Sequence, residues 1–382
     1  MREAADAVVI GGGVVGCSIA YNLAKKGYGK VVVLERGFLA SGATGRCGAG
    51  VRAQWGAKIN CRLAYSSIKM FSRMNEMLET KRDIEFKQGG YLLLAFTENQ
   101  WRQFQANVTL QNSLGIPSRL LTPKEAQEIV PFLNTEDLVG ATYCHEDGHC
   151  NPFQVTQAYA DAARRHGAKI RTYVEATGIL TEGGRIRGVL TEEGEISTPI
   201  TVVAAGGHSV DLARMVGVEL PIYSERHQIL VTEQVEPVLG PMVMSFHHGL
   251  YCQQTPDGSF IMGIGDPNEL KGYVTTSSWH FLEEMAGKIT GLLPPVASLR
   301  VVRQWAGLYD ISPDAHPILG QAPGVEGFYL ACGFSGHGFM IAPMVSRLLA
   351  QAICDEEPDI PLESLGLARF GRGELLHEPS VV

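Results

Sequence analysis

A glycine-rich turn between a short apolar strand and a helix is the feature that most restricts how this chain can fold. Residues 7–10 are apolar and predict a buried strand. The turn GGGVVG follows, and residues 18–26 predict a helix that ends at Gly27. Residues 30–34 predict a second strand, which leads into Glu35. This order of elements is one βαβ unit.

The spacing of the glycines in GGGVVG is typical of dinucleotide-binding folds. Gly11 permits the tight turn, Gly13 lets the backbone approach a pyrophosphate, and Gly16 allows the helix to pack closely on the strand. The helix N-terminus offers free N–H groups and a partial positive charge to the phosphates. Glu35 follows Gly11 by 24 residues, where a carboxylate binds the ribose hydroxyls of adenosine. The contacts predicted for this unit are those of Gly11, Gly13, Val14, Val15, Gly16, Glu35 and Arg36.

A second glycine-dense loop, SGATGRCGAGVR at residues 41–52, is predicted to wrap the same cofactor. Such a loop can present backbone donors and hydroxyl groups to a ligand. An ordinary surface loop would not need two arginines among so many glycines, so a functional role is favoured. The cofactor contacts predicted here are those of Ser41, Gly42, Thr44, Arg46, Cys47 and Gly48.

The chain has 382 residues, 45% of them apolar, and this length favours two domains. A strand-rich pattern from about residue 216 to 305 interrupts an α/β pattern, and a helix is predicted over 337–353. The predicted fold class is therefore α/β (α+β over the whole chain), a Rossmann-type domain interleaved with a β-rich substrate domain. The predicted boundaries are 1–85, 150–215 and 320–368 for the Rossmann-type domain, 86–149 and 216–319 for the substrate domain, and 369–382 for a polar, poorly ordered tail.

Apolar periodicity and turn residues place the remaining elements. A capping box, Thr122-Pro-Lys-Glu125, opens one of the helices. Helices are predicted over 59–80, 122–130 and 151–166, and strands over 89–96, 169–174, 186–191 and 201–205.

Composition and charge exclude several classes of partner. The net charge of −8 and the absence of a Lys/Arg stripe argue against nucleic acid. No apolar run reaches the ~18 residues that span a bilayer, so no membrane span is predicted. Glu3 and Asp6 precede the first apolar stretch, which argues against a signal peptide. Eight cysteines without a CxxC pair favour buried thiols in a reducing, cytoplasmic setting.

One cluster of cysteines and histidines, at residues 144–150, raises the question of a metal. Cys144 and Cys150 lie beside His145 and His149, but this spacing is not that of structural zinc sites. No second pair of ligands follows in the sequence. We therefore predict no metal site.

Four segments of the chain resemble one family of flavoproteins. They are GGGVVG with Glu35, the SGATGRCGAGVR loop, WAGLYDISPDAHPILG at 305–320, and CGFSGHGFMIAP at 332–343. Together they resemble the D-amino-acid-oxidase-type flavoproteins, and within them the β subunits of heteromeric sarcosine oxidase and L-proline dehydrogenase. The likeness extends over nearly the whole chain. It implies that the dinucleotide is FAD.

The resemblance also implies where the rest of the cofactor lies. The helix after residue 337 would point its N-terminus at the flavin pyrimidine and stabilise negative charge on the reduced ring. Family members with covalent FAD carry a cysteine where Gly307 stands, so noncovalent FAD is expected. The further contacts implied are those of Val174, Ala204, Ala205, Gly206, Gly307, Gly333, Phe334, Ser335, Gly336, His337, Gly338, Phe339 and Met340.

Two residues are implied in binding the substrate. Arg52 matches the arginine that binds the substrate carboxylate, a task that suits the fork geometry of a guanidinium. Tyr251 is the second candidate, by approximate alignment. The implied reaction is hydride transfer from the carbon beside a neutral amine to flavin N5, which gives an imine. No side-chain base is required.

The departures from the family pattern are informative. Pro152 stands where sarcosine oxidase β subunits carry a histidine linked to FMN, which argues against covalent FMN. Ile261 and Met340 replace lysines that single-chain oxidases use near the flavin, which favours a dehydrogenase. The resemblance still implies an α subunit as partner, with FMN at the interface.

Several alternatives stay open at the level of sequence. The substrate could be sarcosine, proline, hydroxyproline, glycine, a D-amino acid or an opine. The chain could also be an assembly protein that holds FAD without catalysis, or an NAD-linked dehydrogenase.

Overall fold

Two large β-sheets of different kinds organise the chain, and helices cover both. The computed structural model describes residues 3–379. Within that range the α-helices are α1 Val14–Lys25, α2 Lys58–Ser72, α3 Met74–Met77, α4 Glu98–Ser113, α5 Pro123–Ile129, α6 Pro152–Arg165, α7 Ser209–Arg214, α8 Trp279–Leu292, α9 Gly338–Ile353 and α10 Ala368–Arg372.

Several of the strands follow one another with no helix between them. The strands are β1 Glu3–Ala4, β2 Ala7–Ile10, β3 Val31–Glu35, β4 Gly50–Val51, β5 Tyr91–Ala95, β6 Ser118–Leu121, β7 Gly140–Cys144, β8 Gly148–His149, β9 Lys169–Thr172, β10 Ala176–Glu182, β11 Arg185–Thr191, β12 Gly194–Ser197, β13 Thr201–Val203, β14 Tyr223–Gln234, β15 Met242–Ser245, β16 Leu250–Gln254, β17 Ser259–Ile264, β18 Val301–Ile311, β19 Ile318–Gln321 and β20 Phe328–Cys332.

The first large sheet has the order β19-β20-β13-β2-β3-β9 and is parallel except at β19. Its central strands are buried on both faces because alternate side chains enter two separate cores. Val31 and Val33 pack with α1, α6 and α9. Val32 and Leu34 pack with the strands of the small sheet β1-β12-β11-β10. This is the arrangement that the AVVI–GGGVVG–VVVLE segment predicts.

The second large sheet has the order β18-β14-β17-β16-β15-β5-β7-β6 and is mostly antiparallel. Helices α5 and α8 contribute to the core on one of its faces. The long strands β14 and β18 pair over most of their length, with His227 opposite Gly307. The two sheets are built from interleaved parts of the chain, and the α/β fold class with a Rossmann-type unit is confirmed. The domain boundaries stay a prediction.

The helix predicted over 59–80 is wrong beyond residue 72. It ends at Ser72, because Arg73 N bonds to Met70 O in a tighter turn and Arg73 leaves the helical region. A single turn, α3, then continues to Met77. The strands predicted over 169–174 and 201–205 are also shorter, and they end at Thr172 and Val203.

Four helices were not predicted at all: the long helices α4 and α8, and the short helices α7 and α10. Helix α4 begins after Thr97, whose side chain accepts a hydrogen bond from Gln100 N. Helix α8 interrupts the segment predicted to be strand-rich and begins after Ser278, which caps it by accepting from Phe281 N. The predicted capping box of Thr122 and Glu125 is confirmed in α5.

The prediction of a poorly ordered tail from residue 369 is wrong for residues 369–379, and residues 380–382 lie outside the described range. Arg369 is fully buried, and its guanidinium pairs with the buried side chain of Asp314 at 2.8 Å. The same guanidinium donates to Leu365 O and His316 O. Further along, the Glu378 carboxylate accepts hydrogen bonds from the backbone just before α2. Polar composition suggested exposure, but these polar groups find buried partners.

None of the helices between residues 3 and 379 is both long and apolar enough to cross a membrane.

Candidate active site

A cavity of about 500 Å³ lies where the two large sheets meet, and we call it the central cavity. Its volume is within the range of cofactor and small-molecule sites. One wall comes from the loops that follow β2, β3, β13 and β20, and another from β14, β16 and β18. Of the predicted site residues, it is lined by Gly11, Gly13, Val14, Val15, Glu35, Arg36, Ser41, Gly42, Thr44, Arg46, Cys47, Val174, Ala204, Ala205, Gly206, Tyr251, Gly307, Phe334, Gly336, Gly338 and Phe339.

Seven predicted site residues do not line the central cavity. They are Gly16, Gly48, Arg52, Gly333, Ser335, His337 and Met340.

The glycine turn after β2 leaves no room for side chains at two positions. Gly11 has φ +118°, and a Cβ there would lie 2.3 Å from Ala204 O. A Cβ at Gly16 would lie 2.0 Å from Gly11 O, so close packing of α1 requires glycine. Helix α1 begins beyond Gly13 without a side-chain cap of its own, and Val14 N donates to Thr44 Oγ1 at 3.2 Å. The turn therefore presents helix N–H groups to the cavity, as a pyrophosphate site requires.

The Glu35 carboxylate is held in place at one end of the cavity. It accepts hydrogen bonds from Gly12 N and Gly37 N, both at 2.7 Å, and from Ser41 Oγ at 3.2 Å. These donors fix the carboxylate beside the glycine turn. A carboxylate there suits the hydroxyls of an adenosine ribose.

The glycine-dense loop is docked against strand β18. Its short 3₁₀ helix ends at Arg46, whose Nη1 donates to Ala306 O at 2.9 Å. Trp305 Nε1 returns a hydrogen bond to Arg46 O at 3.1 Å. A Cβ at Gly307 would lie 3.1 Å from the Arg46 Cβ, so the small residue lets the loop and the strand approach each other. The loop thus joins the two sheets at the cavity.

A second helix N-terminus faces the cavity at α9. The chain turns into it through Ser335 and Gly336, which have φ +49° and +90°. Asp310 organises this turn, because its Oδ2 accepts from Gly333 N at 2.7 Å and its backbone O accepts from Ser335 N at 3.0 Å. Burial raises the pKa of Asp310 to about 6, against the hydrogen bonds that favour its charged form. His337, the residue before α9, does not line the cavity; its ring packs against Trp55, with centroids 4.9 Å apart and planes tilted by 56°.

Three stacked rings form the wall of the cavity that the second sheet contributes. His227 lies parallel to Tyr309, with ring centroids 4.3 Å apart, and parallel to Tyr251 at 6.0 Å. His227 Nε2 is buried and has no hydrogen-bond partner within the described part of the chain. Burial lowers the pKa of His227 to about 4, so its ring is neutral. The two tyrosines stay protonated because burial raises the pKa of each phenol.

His227 and Tyr309 are site residues that the sequence did not reveal. A lone histidine within a strand carries no local signal of function. Tyr309 lies inside the motif WAGLYDISPDAHPILG, which is an indirect signal, and the structure pairs His227 with Gly307 of the same motif.

Arg52 lies behind the cavity wall. Its side chain is 3% exposed, its Nη1 donates to Gln54 O at 2.8 Å, and its guanidinium lies 3.9 Å from the Trp55 ring centre. Burial lowers the pKa of Arg52, opposed by nearby groups such as Tyr91. The structure brings Tyr251 to the cavity surface but not Arg52.

A buried network holds the segment that carries Arg52. Asp147 is fully buried and accepts hydrogen bonds from Ala53 N at 2.8 Å and from Gln54 Nε2 at 2.9 Å. Thr142 Oγ1 donates to Gln54 Oε1 at 2.7 Å. Burial raises the pKa of Asp147 to about 7. The network fixes the backbone on either side of Arg52.

The cluster at residues 144–150 is built into this same supporting structure. His149 belongs to β8, which pairs with β4 just before Arg52. Cys144 and Cys150 are buried, and burial raises the pKa of both thiols. Between residues 3 and 379, the group whose side chains come close enough for a metal is instead Asp266, His280 and Glu284. Glu284 already accepts from Lys288 Nζ at 2.8 Å, and none of the three lines the central cavity.

Fold and site together define a dinucleotide-binding oxidoreductase in which a second sheet closes the site. A model of the family described as FAD dependent oxidoreductase matches residues 6–352. The β subunit of sarcosine oxidase from Arthrobacter sp is 33% identical, over 99% of this chain and 94% of the relative. The corresponding subunit from Rhodobacter capsulatus is 30% identical, over 98% and 90%.

Solved structures give the same result. L-proline dehydrogenase from P. horikoshii superposes with a TM-score of 0.93 at 37% identity, covering 98% of this chain and 100% of the other. Glycine oxidase from Geobacillus kaustophilus superposes with a TM-score of 0.88 at 26% identity, covering 96% and 99%. The chain belongs to the family of FAD-dependent oxidoreductases.

The resemblance to D-amino-acid-oxidase-type flavoproteins is thereby confirmed, and FAD rather than NAD is the cofactor. The chain is an FAD-dependent oxidoreductase of the kind that acts on amines and amino acids. The residues of the central cavity fit this cofactor, since two helix N-termini, a fixed carboxylate and side-chain-free turns face one continuous space.

Proposed function

We propose that this enzyme oxidises the C–N bond of a small secondary amino acid, such as sarcosine or proline, to an imine. The observation that carries the proposal is the stack of His227, Tyr251 and Tyr309 on the cavity wall opposite the glycine turn. This wall is aromatic and uncharged. It suits a neutral amine with a small apolar body. The substrates named for the sarcosine oxidase β subunits and for L-proline dehydrogenase have that character.

The residues of the chain position the substrate and exclude water. The aromatic stack can hold the apolar part of the substrate. Arg52 lies behind the cavity wall, and we propose that its side chain turns toward the cavity when substrate binds and anchors the carboxylate through two parallel hydrogen bonds. When bound, FAD would supply the acceptor for the hydride on the carbon beside the amine. The start of α9, with Gly338 and Phe339 on the cavity surface, offers N–H groups and partial positive charge to the flavin end. Gly307 supports noncovalent binding, because it offers no thiol for attachment.

None of the three stacked rings on this wall could remove a proton efficiently near neutral pH. His227 is neutral because burial lowers its pKa to about 4, but its Nε2 would have to accept a proton inside an apolar stack. Burial raises the pKa of the Tyr251 phenol well above its usual value. We therefore propose that the substrate amine reaches the site neutral, having lost its proton to solvent.

The pH dependence of flavin reduction tests this assignment. Below the pKa of the bound amine, the rate of reduction is expected to rise about tenfold per pH unit and then level off. His227→Asn is expected to change the plateau but not the pH at which the curve levels off, because His227 does not titrate above about pH 5. The measurement is stopped-flow reduction under anaerobic conditions. A levelling pH that moves in His227→Asn would show that the histidine carries the proton.

The substrate itself is tested by anaerobic bleaching of the flavin with a panel of amino acids. The panel contains sarcosine, proline, hydroxyproline, glycine, D-alanine and an opine. We expect rapid bleaching by a secondary amino acid. Rapid bleaching by glycine or D-alanine alone would replace the proposed substrate class.

A second candidate function is a regulatory one. The regulatory subunit of mitochondrial pyruvate dehydrogenase phosphatase from Mus musculus is 26% identical over 96% of this chain, which covers 43% of that relative. A relative that is named as a regulatory subunit supports a candidate function other than catalysis. A yellow protein that no member of the panel bleaches would favour this candidate.

We also propose that the chain works with a partner subunit. The relatives from Arthrobacter and Rhodobacter are each named as a subunit β. An α subunit with FMN at the interface would carry electrons away, and Pro152 offers no side chain for covalent FMN. A lone chain that turns over as fast as the native assembly, with its native acceptor, would contradict the partner.

The proposed location is the cytoplasm. The eight cysteines are free, as is usual in a reducing compartment.

A further inference from the structure

The segment from residue 266 to 277, which we call the strap, passes over an exposed edge of the central cavity. We call this edge the mouth, because Tyr273 both lines the cavity there and is 48% exposed. The strap leaves the second sheet after β17 and returns to it at the start of α8. Two of its residues, Tyr273 and Thr275, line the cavity together with residues of the first sheet. We propose that the strap retains FAD, with Tyr273 as the residue that closes the Glu35 end of the cavity. This inference rests on the assignment of that end to the adenosine of FAD.

The strap is fastened to β14 on both sides of Tyr273. Before it, Glu269 pairs with Arg226 through side chains that are almost buried, and Gln228 Nε2 donates to Glu269 Oε2 at 2.7 Å. After it, Arg226 Nη1 donates to Thr276 O at 2.8 Å. Arg226 thus holds both arms of the strap. The segment has a defined position relative to the sheet that carries the aromatic stack.

Tyr273 reaches from the strap to the other side of the mouth. Its ring stacks on His208, with centroids 4.3 Å apart and planes 27° apart. Its hydroxyl donates to Asp211 Oδ2 at 2.6 Å. His208 and Asp211 follow β13 and belong to the first sheet's side of the cavity. Tyr273 therefore joins the two walls.

The contact continues to the residue beside the fixed carboxylate. Arg36 Nη2 lies 2.8 Å from His208 Nε2, and Arg36 follows Glu35 directly. Burial and the nearby Arg36 lower the pKa of His208, which keeps the ring neutral and able to accept from the guanidinium. Arg36, His208 and Tyr273 form one continuous row of contacts. The row begins at Arg36, which directly follows Glu35, the carboxylate expected to bind the ribose.

The exposure of Tyr273 argues against a role in the core. The side chain is 48% exposed, yet both its ring and its hydroxyl have partners across the cavity mouth. Ordering this side chain costs conformational entropy, and a side chain that stays half exposed gains little stabilisation from burial to offset that cost. A ligand that lies beneath Tyr273 would be bound more tightly while the ring stays in this position over the cavity. Retention of a noncovalent cofactor is the role that this geometry supports.

The test is the rate at which the holoprotein releases FAD. Holoprotein is diluted into a large excess of an apoflavoprotein that captures free FAD, and loss of bound FAD is followed by absorbance. Tyr273→Ala is expected to release FAD about tenfold faster, because a ring contact and a hydrogen bond that hold the mouth closed are both lost. Tyr273→Phe keeps the ring and is expected to release FAD about threefold faster.

The matched control is Tyr223→Ala. Tyr223 is 41% exposed and touches the strap through Lys271, but it does not line the cavity. Its variant is expected to release FAD at the wild-type rate. Asp211→Asn provides a second test that removes no ring, and it should raise the release rate severalfold.

The outcomes are distinct from those that bear on catalysis. Release of FAD from Tyr273→Ala at the wild-type rate, with an unchanged circular dichroism spectrum, would overturn the role of the strap. If Tyr273→Ala does not fold, the rates of Tyr273→Phe and Asp211→Asn decide in the same way. If no amino acid bleaches the flavin of the wild-type protein, the proposed substrate class is wrong. The rates of FAD release are not affected by that result.

Discussion

Replacing Arg369 with methionine is expected to lower the free energy of unfolding by about 3–5 kcal/mol. The guanidinium donates two hydrogen bonds to Asp314, at 2.8 and 2.9 Å, and further ones to Leu365 O and His316 O. Both members of the pair have completely buried side chains. Burial raises the pKa of Asp314, but Arg369 and other donors lower it on balance, so the carboxylate is charged. When Arg369 is replaced, the negative charge of Asp314 stays buried and has lost its positive partner.

The measurement is urea unfolding of the holoprotein followed by circular dichroism. Arg372→Met is the control, because Arg372 is about half exposed and pairs with Glu374 at the surface. That pair is expected to contribute less than about 1 kcal/mol. The double variant Arg369→Met with Asp314→Leu is expected to recover part of the loss, since it removes the stranded charge as well. A loss below about 1 kcal/mol in Arg369→Met would show that the pair is dispensable.

Replacing Arg52 with alanine is expected to raise the apparent KM for an amino-acid substrate about 100-fold while FAD stays bound. Two hydrogen bonds between guanidinium and carboxylate would be lost, and hydrogen bonds to charged groups are worth about 1.5–3 kcal/mol each. The flavin should remain, because Arg52 does not line the central cavity. Arg52→Lys keeps the charge but not the fork, so we expect it to fall between alanine and the wild type.

The decisive comparison uses a substrate pair that differs only in the carboxylate, such as proline and pyrrolidine. If Arg52 binds the carboxylate, Arg52→Ala weakens the apparent binding of proline and leaves that of pyrrolidine unchanged. The buried position of Arg52, with its guanidinium on Trp55, also allows a purely structural role. In that case Arg52→Ala would lower the melting temperature and leave the KM for proline near normal.

The sequence was sufficient for the parts of the site that depend on local geometry. Gly11 and Gly16 mark positions where any side chain would overlap the backbone, so the turn can be predicted from them alone. Glycine density over residues 41–52 likewise predicted a loop that wraps the cofactor, and its first part lines the central cavity.

Other parts could not be predicted because their partners lie far away in the sequence. His227 matters because β18 brings Tyr309 beside it, and nothing near His227 indicates that pairing. The polar sequence around Arg369 indicates an exposed residue, and only the structure shows that Arg369 is buried against Asp314. Helix α8 was missed because Gly287 and Gly291 weaken its helical pattern, although Ser278 was a usable start signal.

The position of Glu378 has a practical consequence. Its carboxylate accepts from Gly56 N and Ala57 N, which are the backbone donors that precede α2, and from Asn60 within that helix. The last described turn of the chain therefore caps a helix that begins a few residues after Arg52. An affinity tag or a fluorescent reporter attached close behind Glu378 would disturb these hydrogen bonds. Protein for kinetic assays is better labelled far from Glu378, or with a cleavable extension that is removed before the assay.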